Sequence, residues 1–181
     1  MKVALIDVDS HNFPNLVLMK LSAWHKARGD EVILMSAETA LRAENLILKY
    51  DKMYGACVFS GHEEILRALE LCGVHLGGTG TRYREILPYE VEHIMPDYSL
   101  YGISDTAYGF LTRGCPRGCS FCVVASKEGR KSYKVADISE WWRGQDNIKL
   151  LDPNLLACEE HLKLLGQLAE TGAHVDKISI F

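Results

Sequence analysis

The stretch that decides the fold is Lys2-Val3-Ala4-Leu5-Ile6-Asp7-Val8, followed by Pro14 ahead of Val17, Leu21 and Trp24, and then by Glu31-Val32-Ile33-Leu34-Met35. An apolar run without polar alternation suits a strand buried on both faces. Pro14 opens a helix whose Val17, Leu21 and Trp24 share one face, and Gly29 closes it. Glu31 to Met35 reads as a second strand and Met53 to Phe59 as a third. Ser60-Gly61-His62-Glu63 spells a capping box for a helix that ends at Gly73. Val74 to Leu76 is a fourth, short strand running into Gly77-Gly78-Thr79-Gly80. This rhythm predicts an α/β fold, with residues 1–80 forming a small doubly wound domain on a parallel sheet. In such a domain ligands meet the loops after the strand C-termini, here Asp9 to Phe13 and Gly77 to Gly80.

Outward from that domain the periodicity dissolves. Residues 81–104, with Pro88, Pro96 and several tyrosines, read as a linker packed on the surface. A second block occupies 105–181. Thr106 to Thr112 is a strand, and Asp137-Ile138-Ser139-Glu140 is a capping box for a short helix carrying Trp141 and Trp142. Asn147 to Leu151 is the next strand, Asn154 caps a long helix to Thr171 that Gly172 ends, and Asp176 to Phe181 is one more strand. The block reads as the first three βα units of a partial (β/α) barrel. A complete barrel takes at least ~200 residues, so the sequence is expected to be the first part of a longer protein.

Composition narrows the function classes. Hydrophobic residues at 48 % and charged residues at 24 % exclude a disordered tail, a collagen-like fibre and a disulfide-stapled miniprotein. No apolar run approaches the roughly 18 residues of a membrane span, so no membrane partner is expected. Met1 to Asp7 is too short and too soon acidic for a signal peptide, and a cytoplasmic location is expected. The net charge of −4 gives no global pull toward nucleic acid. Locally, Arg113, Arg117, Lys127, Arg130, Lys131 and Lys134 face one acid, Glu128. That stretch suits either a solvated loop, the reading preferred here, or steering of a phosphate-bearing or nucleic-acid substrate or of an anionic cofactor end.

Cysteine placement matters most. Cys57, Cys72 and Cys158 lie singly in apolar settings; Cys158 continues the stripe Leu155, Cys158, Leu162, Leu165, Ala169 at helical spacing. Cys115, Cys119 and Cys122 instead sit in one loop, Cys115-Pro116-Arg117-Gly118-Cys119-Ser120-Phe121-Cys122. In a chain that keeps its thiols reduced, such a cluster binds metal rather than forming disulfides. Zinc sites usually complete four ligands with a second cysteine pair or histidines, and neither lies nearby in sequence. Iron–sulfur clusters are normally held by four cysteines, so three leave one iron of a [4Fe–4S] cubane open to a small molecule. Gly114 and Gly118 let the backbone wrap closely around such a group. The competing reading is a non-catalytic module with a structural metal.

The pattern Cys115-x-x-x-Cys119-x-Phe121-Cys122, in the loop after the first strand of a β/α block, resembles the signature of the radical S-adenosylmethionine superfamily. The resemblance implies that the three cysteines bind [4Fe–4S] and that S-adenosylmethionine occupies the fourth iron. Reductive cleavage to a 5′-deoxyadenosyl radical would then permit substrate hydrogen abstraction. It implies that Phe121 helps seat the adenine, and that an electron donor such as flavodoxin or ferredoxin is a partner. Leu151-Asp152-Pro153-Asn154 is similar to the Asp-x-Asn variant of the family's segment that contacts the cofactor's amino group. Asp152 and Asn154 are therefore cofactor-binding candidates, the other reading being that they shape the turn and cap the helix. Residues 1–80 resemble the cobalamin-binding domain of one branch of the superfamily. Asp9-x-His11-x-x-Pro14 is similar to its Asp-x-His-x-x-Gly motif, in which the histidine binds cobalt; the final glycine is absent here.

Overall fold

The computed structural model describes residues 1–9, 13–83 and 85–177, and the chain divides into two compact units, Met1–Tyr101 and Gly102–Phe181. Both are α/β. Among the described residues no helix is long and apolar enough to cross a membrane.

The first unit runs β1 (Lys2–Asp7), α1 (Leu16–Lys26), β2 (Glu31–Ser36), α2 (Ala37–Arg42), α3 (Leu46–Lys49), β3 (Lys52–Ala56), α4 (Glu63–Leu71) and β4 (His75–Gly77); its four strands, α1 and α4 follow the sequence reading, whereas α2 and α3 are additions to it. The sheet is parallel in the order β2-β1-β3-β4, so the chain reverses direction across the sheet at β1 and β3. The continuous apolar run of β1 has its reason here. Ala4 and Ile6 pack with Ala37, Ala40, Leu66 and Leu69, while Val3 and Leu5 pack on the other face with Leu18 and Leu21. Both faces are covered, as parallel strands require.

Two local expectations change. Pro14 precedes the helix instead of opening it, and Asn15 caps α1 by accepting the Leu18 N–H at 3.3 Å. The Ser60–Glu63 capping box does not form; α4 begins after His62 with no side-chain cap. The cause lies in the preceding turn, where Val58 and Phe59 donate their N–H groups to Asp9 (2.9 and 2.6 Å) and draw the segment toward β1.

The segment read as a linker is built onto this unit through Tyr101, and its last three residues belong to the second unit. α5 (Tyr89–Glu92) and a 3₁₀ turn (Tyr98–Tyr101) cover the outer side of α1. Lys20 pairs with Glu92 at 2.7 Å, Tyr101 donates to Asp7 at 2.5 Å, and Asp97 accepts from both Ser22 and Lys26 at 2.6 Å. Burial works against ionisation of Asp97. The bonds from Lys26, Ser22 and Ser99 outweigh it and hold the carboxyl below its usual range. Its contribution to stability is therefore present above the unfolded value of about 3.9 and lost as pH falls through the lower folded value. Asp97→Asn should lower the melting temperature at neutral pH, with the deficit shrinking below about pH 4. A deficit that is constant with pH in thermal melts would refute the assignment.

The second unit contains β5 (Thr106–Gly109), β6 (Thr112–Arg113), α6 (Val124–Lys127), β7 (Tyr133–Lys134), β8 (Asn147–Leu150), α7 (His161–Thr171) and β9 (His174–Lys177). β5, β8 and β9 form a parallel sheet in that order, and β6 pairs antiparallel with β7. The strand expected over Thr106–Thr112 thus breaks at Phe110 and Leu111 into two pieces serving different sheets. The Asp137–Glu140 capping box forms, but it opens only one 3₁₀ turn (Ile138–Glu140). The chain then leaves so that the buried Trp141 ring can lie over Gly109, where a Cβ would come within 2.2 Å of it.

The long helix expected from Asn154 is also divided, into a 3₁₀ turn (Leu155–Ala157) and α7. Cys158 between them is extended, with φ −76° and ψ 139°. The stripe from Leu155 to Ala169 is therefore not one face. Leu155 and Cys158 are buried, Leu162 and Leu165 are exposed, and α7 buries Leu164 and Leu168 instead. The strand expected over Asp176–Phe181 starts earlier, at His174, and its residues 178–181 lie outside the described residues.

Candidate metal centre

The break after β5 creates the cysteine loop. Asp152, just past β8, is 1 % exposed, and its carboxylate accepts the N–H groups of Leu111 (2.8 Å) and Thr112 (2.7 Å) and the Thr112 hydroxyl (2.5 Å). These two amides turn away from the parallel sheet, and the carboxylate supplies the acceptors that a neighbouring strand would have given. The turned chain enters β6, whose pairing with β7 closes the neck of a loop spanning 114–132.

The neck has further ties. Glu128, the one acid of the basic stretch, pairs with Arg113 at 2.6 Å and accepts the Gly114 N–H at 3.0 Å. The Arg113 guanidinium lies 3.5 Å from the centroid of the Phe110 ring. Cys115 donates its N–H to the Gly129 carbonyl at 3.2 Å. Gly114 has φ +77°, and a Cβ there would stand 2.1 Å from the Lys131 carbonyl oxygen, so no other residue fits the crossing of the two limbs.

Inside the neck Cys115, Cys119 and Cys122 are half-buried free thiols. Cys122 donates its N–H to the Cys119 carbonyl at 3.1 Å, forming a turn between the last two cysteines. Among the described residues no three His, Cys, Asp or Glu side chains are gathered as a ready metal site, so the three sulfurs share a loop without converging on one point. The donor set nevertheless suits a soft metal group. Three thiols outside any disulfide lie on a loop with a fixed neck, and the Asn154 amide Nδ2 is 3.6 Å from the Cys115 sulfur.

The other candidates divide. Phe121 is 82 % exposed, with its ring open for stacking. Asp152 has both oxygens engaged by the neck, whereas Asn154 reaches Cys115. The basic stretch is partly neutralised by acids outside it: Lys131 pairs with Glu159, 28 residues on, at 3.1 Å, and Lys134 with nearby Asp137 at 2.8 Å. The Glu159 partner, and the role of Glu128, were not legible from local charge alone.

In the first unit the described residues at the strand C-termini engage one another. Cys57, fully buried, donates its S–H to Asp9 at 3.3 Å, and burial followed by that bond pushes the thiol up to about 12. Gly78 packs on the Cys57 carbonyl, where a Cβ would come within 2.2 Å. His11, the cobalt ligand implied by the resemblance to cobalamin domains, lies outside the described residues.

Compared with known proteins, the chain matches no protein-family model and no curated protein.

Proposed function

We propose that the chain is a radical S-adenosylmethionine iron–sulfur protein in which Cys115, Cys119 and Cys122 hold a [4Fe–4S] cluster and leave one iron for S-adenosylmethionine. The observation that carries this reading is the three-thiol loop with Phe121 before its last cysteine, joined through a fixed neck to the first strand of a parallel sheet. When bound, the cluster supplies the electron that cleaves the cofactor's sulfonium bond, so that a hydrogen can be taken from a substrate.

The chain's own residues do the rest. The three cysteines lose their protons to ligate iron. Glu128, Arg113 and Asp152 fix where the loop leaves the sheet, so less order has to be imposed when metal enters. Phe121 offers an exposed aromatic face to an adenine. The electron comes from a carrier such as flavodoxin or ferredoxin, and six free thiols suit the reducing cytoplasm.

Anaerobic reconstitution of the full chain with iron and sulfide tests the reading. The expected content is about four irons and four sulfides per chain, the composition of a cubane cluster. Stoichiometric zinc without sulfide would assign the loop to a structural-metal module instead.

A further inference from the structure

We infer that Asn154 is a positioning residue for Cys115, tuning a cluster held there by donating its amide N–H to that cysteine's sulfur. The inference rests on the reading above and changes the role of one residue within it. Asn154 acts on the ligand sulfur, whereas the sequence offered it as a contact to the cofactor's amino group or as a helix cap.

The placement follows from the sheet. β8 lies beside β5, with Leu150 opposite Gly109, and the Leu151 N–H continues the ladder by donating to the Gly109 carbonyl at 3.0 Å. Residues 152–154 therefore emerge next to the limb that leads into the cysteine loop. Asp152 grips the entering limb through Leu111 and Thr112. Asn154 grips the returning limb, because its carbonyl accepts the hydroxyl of the buried Ser132 at 2.9 Å.

With the backbone held, the side chain is aimed. It makes no cap bond to the 3₁₀ turn that follows, and Nδ2 stands 3.6 Å from the Cys115 sulfur. That separation suits an N–H···S bond, sulfur being larger than oxygen. Hydrogen bonds to the sulfurs are among the determinants of iron–sulfur potentials. An N–H donor draws charge from the sulfur and favours the reduced, more negative cluster, so it raises the potential. Partners of this outer kind also orient the ligand itself.

The test is a redox titration, monitored by electron paramagnetic resonance, of the reconstituted full chain as wild type, Asn154→Ala and Asn154→Asp. Both variants should have potentials more negative than wild type, the Asp variant more so because it removes the donor and adds a negative charge. An Asp variant that keeps native circular dichroism yet takes up no iron also supports a positioning role, since the substitution is isosteric. Identical potentials in all three would overturn the inference. So would unchanged potentials with weakened S-adenosylmethionine binding, which would return Asn154 to the cofactor. A wild-type chain that takes up no iron overturns the functional reading itself, a result distinct from both.

Discussion

Cys115→Ala, Cys119→Ala and Cys122→Ala should each lower reconstituted iron and sulfide at least about tenfold, because two remaining thiolates fall short of the ligand set a cubane needs. Cys158→Ala should keep the full metal content and lose stability instead. The contrast is one of chemistry. Cys158 is 4 % exposed between a 3₁₀ turn and α7, and it packs as a small apolar side chain. Truncating it leaves a small cavity, costing about 1–2 kcal/mol. Cys57 is still less suited to metal. It is enclosed, and its thiol is pushed up to about 12, so little thiolate exists at neutral pH. The three loop cysteines are half-exposed and reachable. Metal analysis of all four variants, alongside denaturant melts, separates the roles. Retention of iron by any loop variant, or its loss from Cys158→Ala, would contradict the assignment.

The sequence was most legible where one period governed a whole element. The unbroken apolar run of β1 announced two covered faces, and the parallel order of the first sheet follows from helices returning between strands. It was least legible where a long-range bond decided a local outcome. Ser60 to Glu63 has the letters of a capping box, yet Asp9 captures the preceding amides from across the sheet. Thr106 to Thr112 reads as one strand because nothing local marks the break; Asp152, about forty residues on, supplies the acceptors that let it turn. The stripe through Cys158 failed for a related reason, since helical spacing persists in letters even where the backbone is extended. At the candidate site the cysteines themselves were legible, being fixed by covalent spacing. Glu128 was visible only as an odd acid among bases. Its ion pair with Arg113 and the hydrogen bond it accepts from Gly114 required the fold.

Asp152 then becomes the residue outside the cysteines whose loss should cost most. Asp152→Ala strands three buried donors, the N–H groups of Leu111 and Thr112 and the Thr112 hydroxyl. At about 1–3 kcal/mol for each unsatisfied group, partly recovered by water, the expected loss is about 3–5 kcal/mol in denaturant melts. Asp152→Asn keeps one acceptor oxygen and turns the other into a donor facing a donor, so it should cost about 1–3 kcal/mol. The pH dependence gives a sharper check. Burial raises the Asp152 carboxyl, more than the Thr112 hydroxyl and the Leu111 and Thr112 amides lower it. A carboxyl whose folded value is raised contributes most when protonated, and that contribution is lost as pH rises through the folded value. The stability difference between wild type and Asp152→Asn should therefore grow as pH falls from 7 toward about 4, the unfolded carboxyl range, and level off below it. A difference that shrinks on acidification would show that the neck binds the anion more strongly than burial opposes it. Either way the loop is affected with the neck: once Leu111 and Thr112 are released, β6 loses its anchor, and iron should leave Asp152→Ala faster than wild type under a chelator.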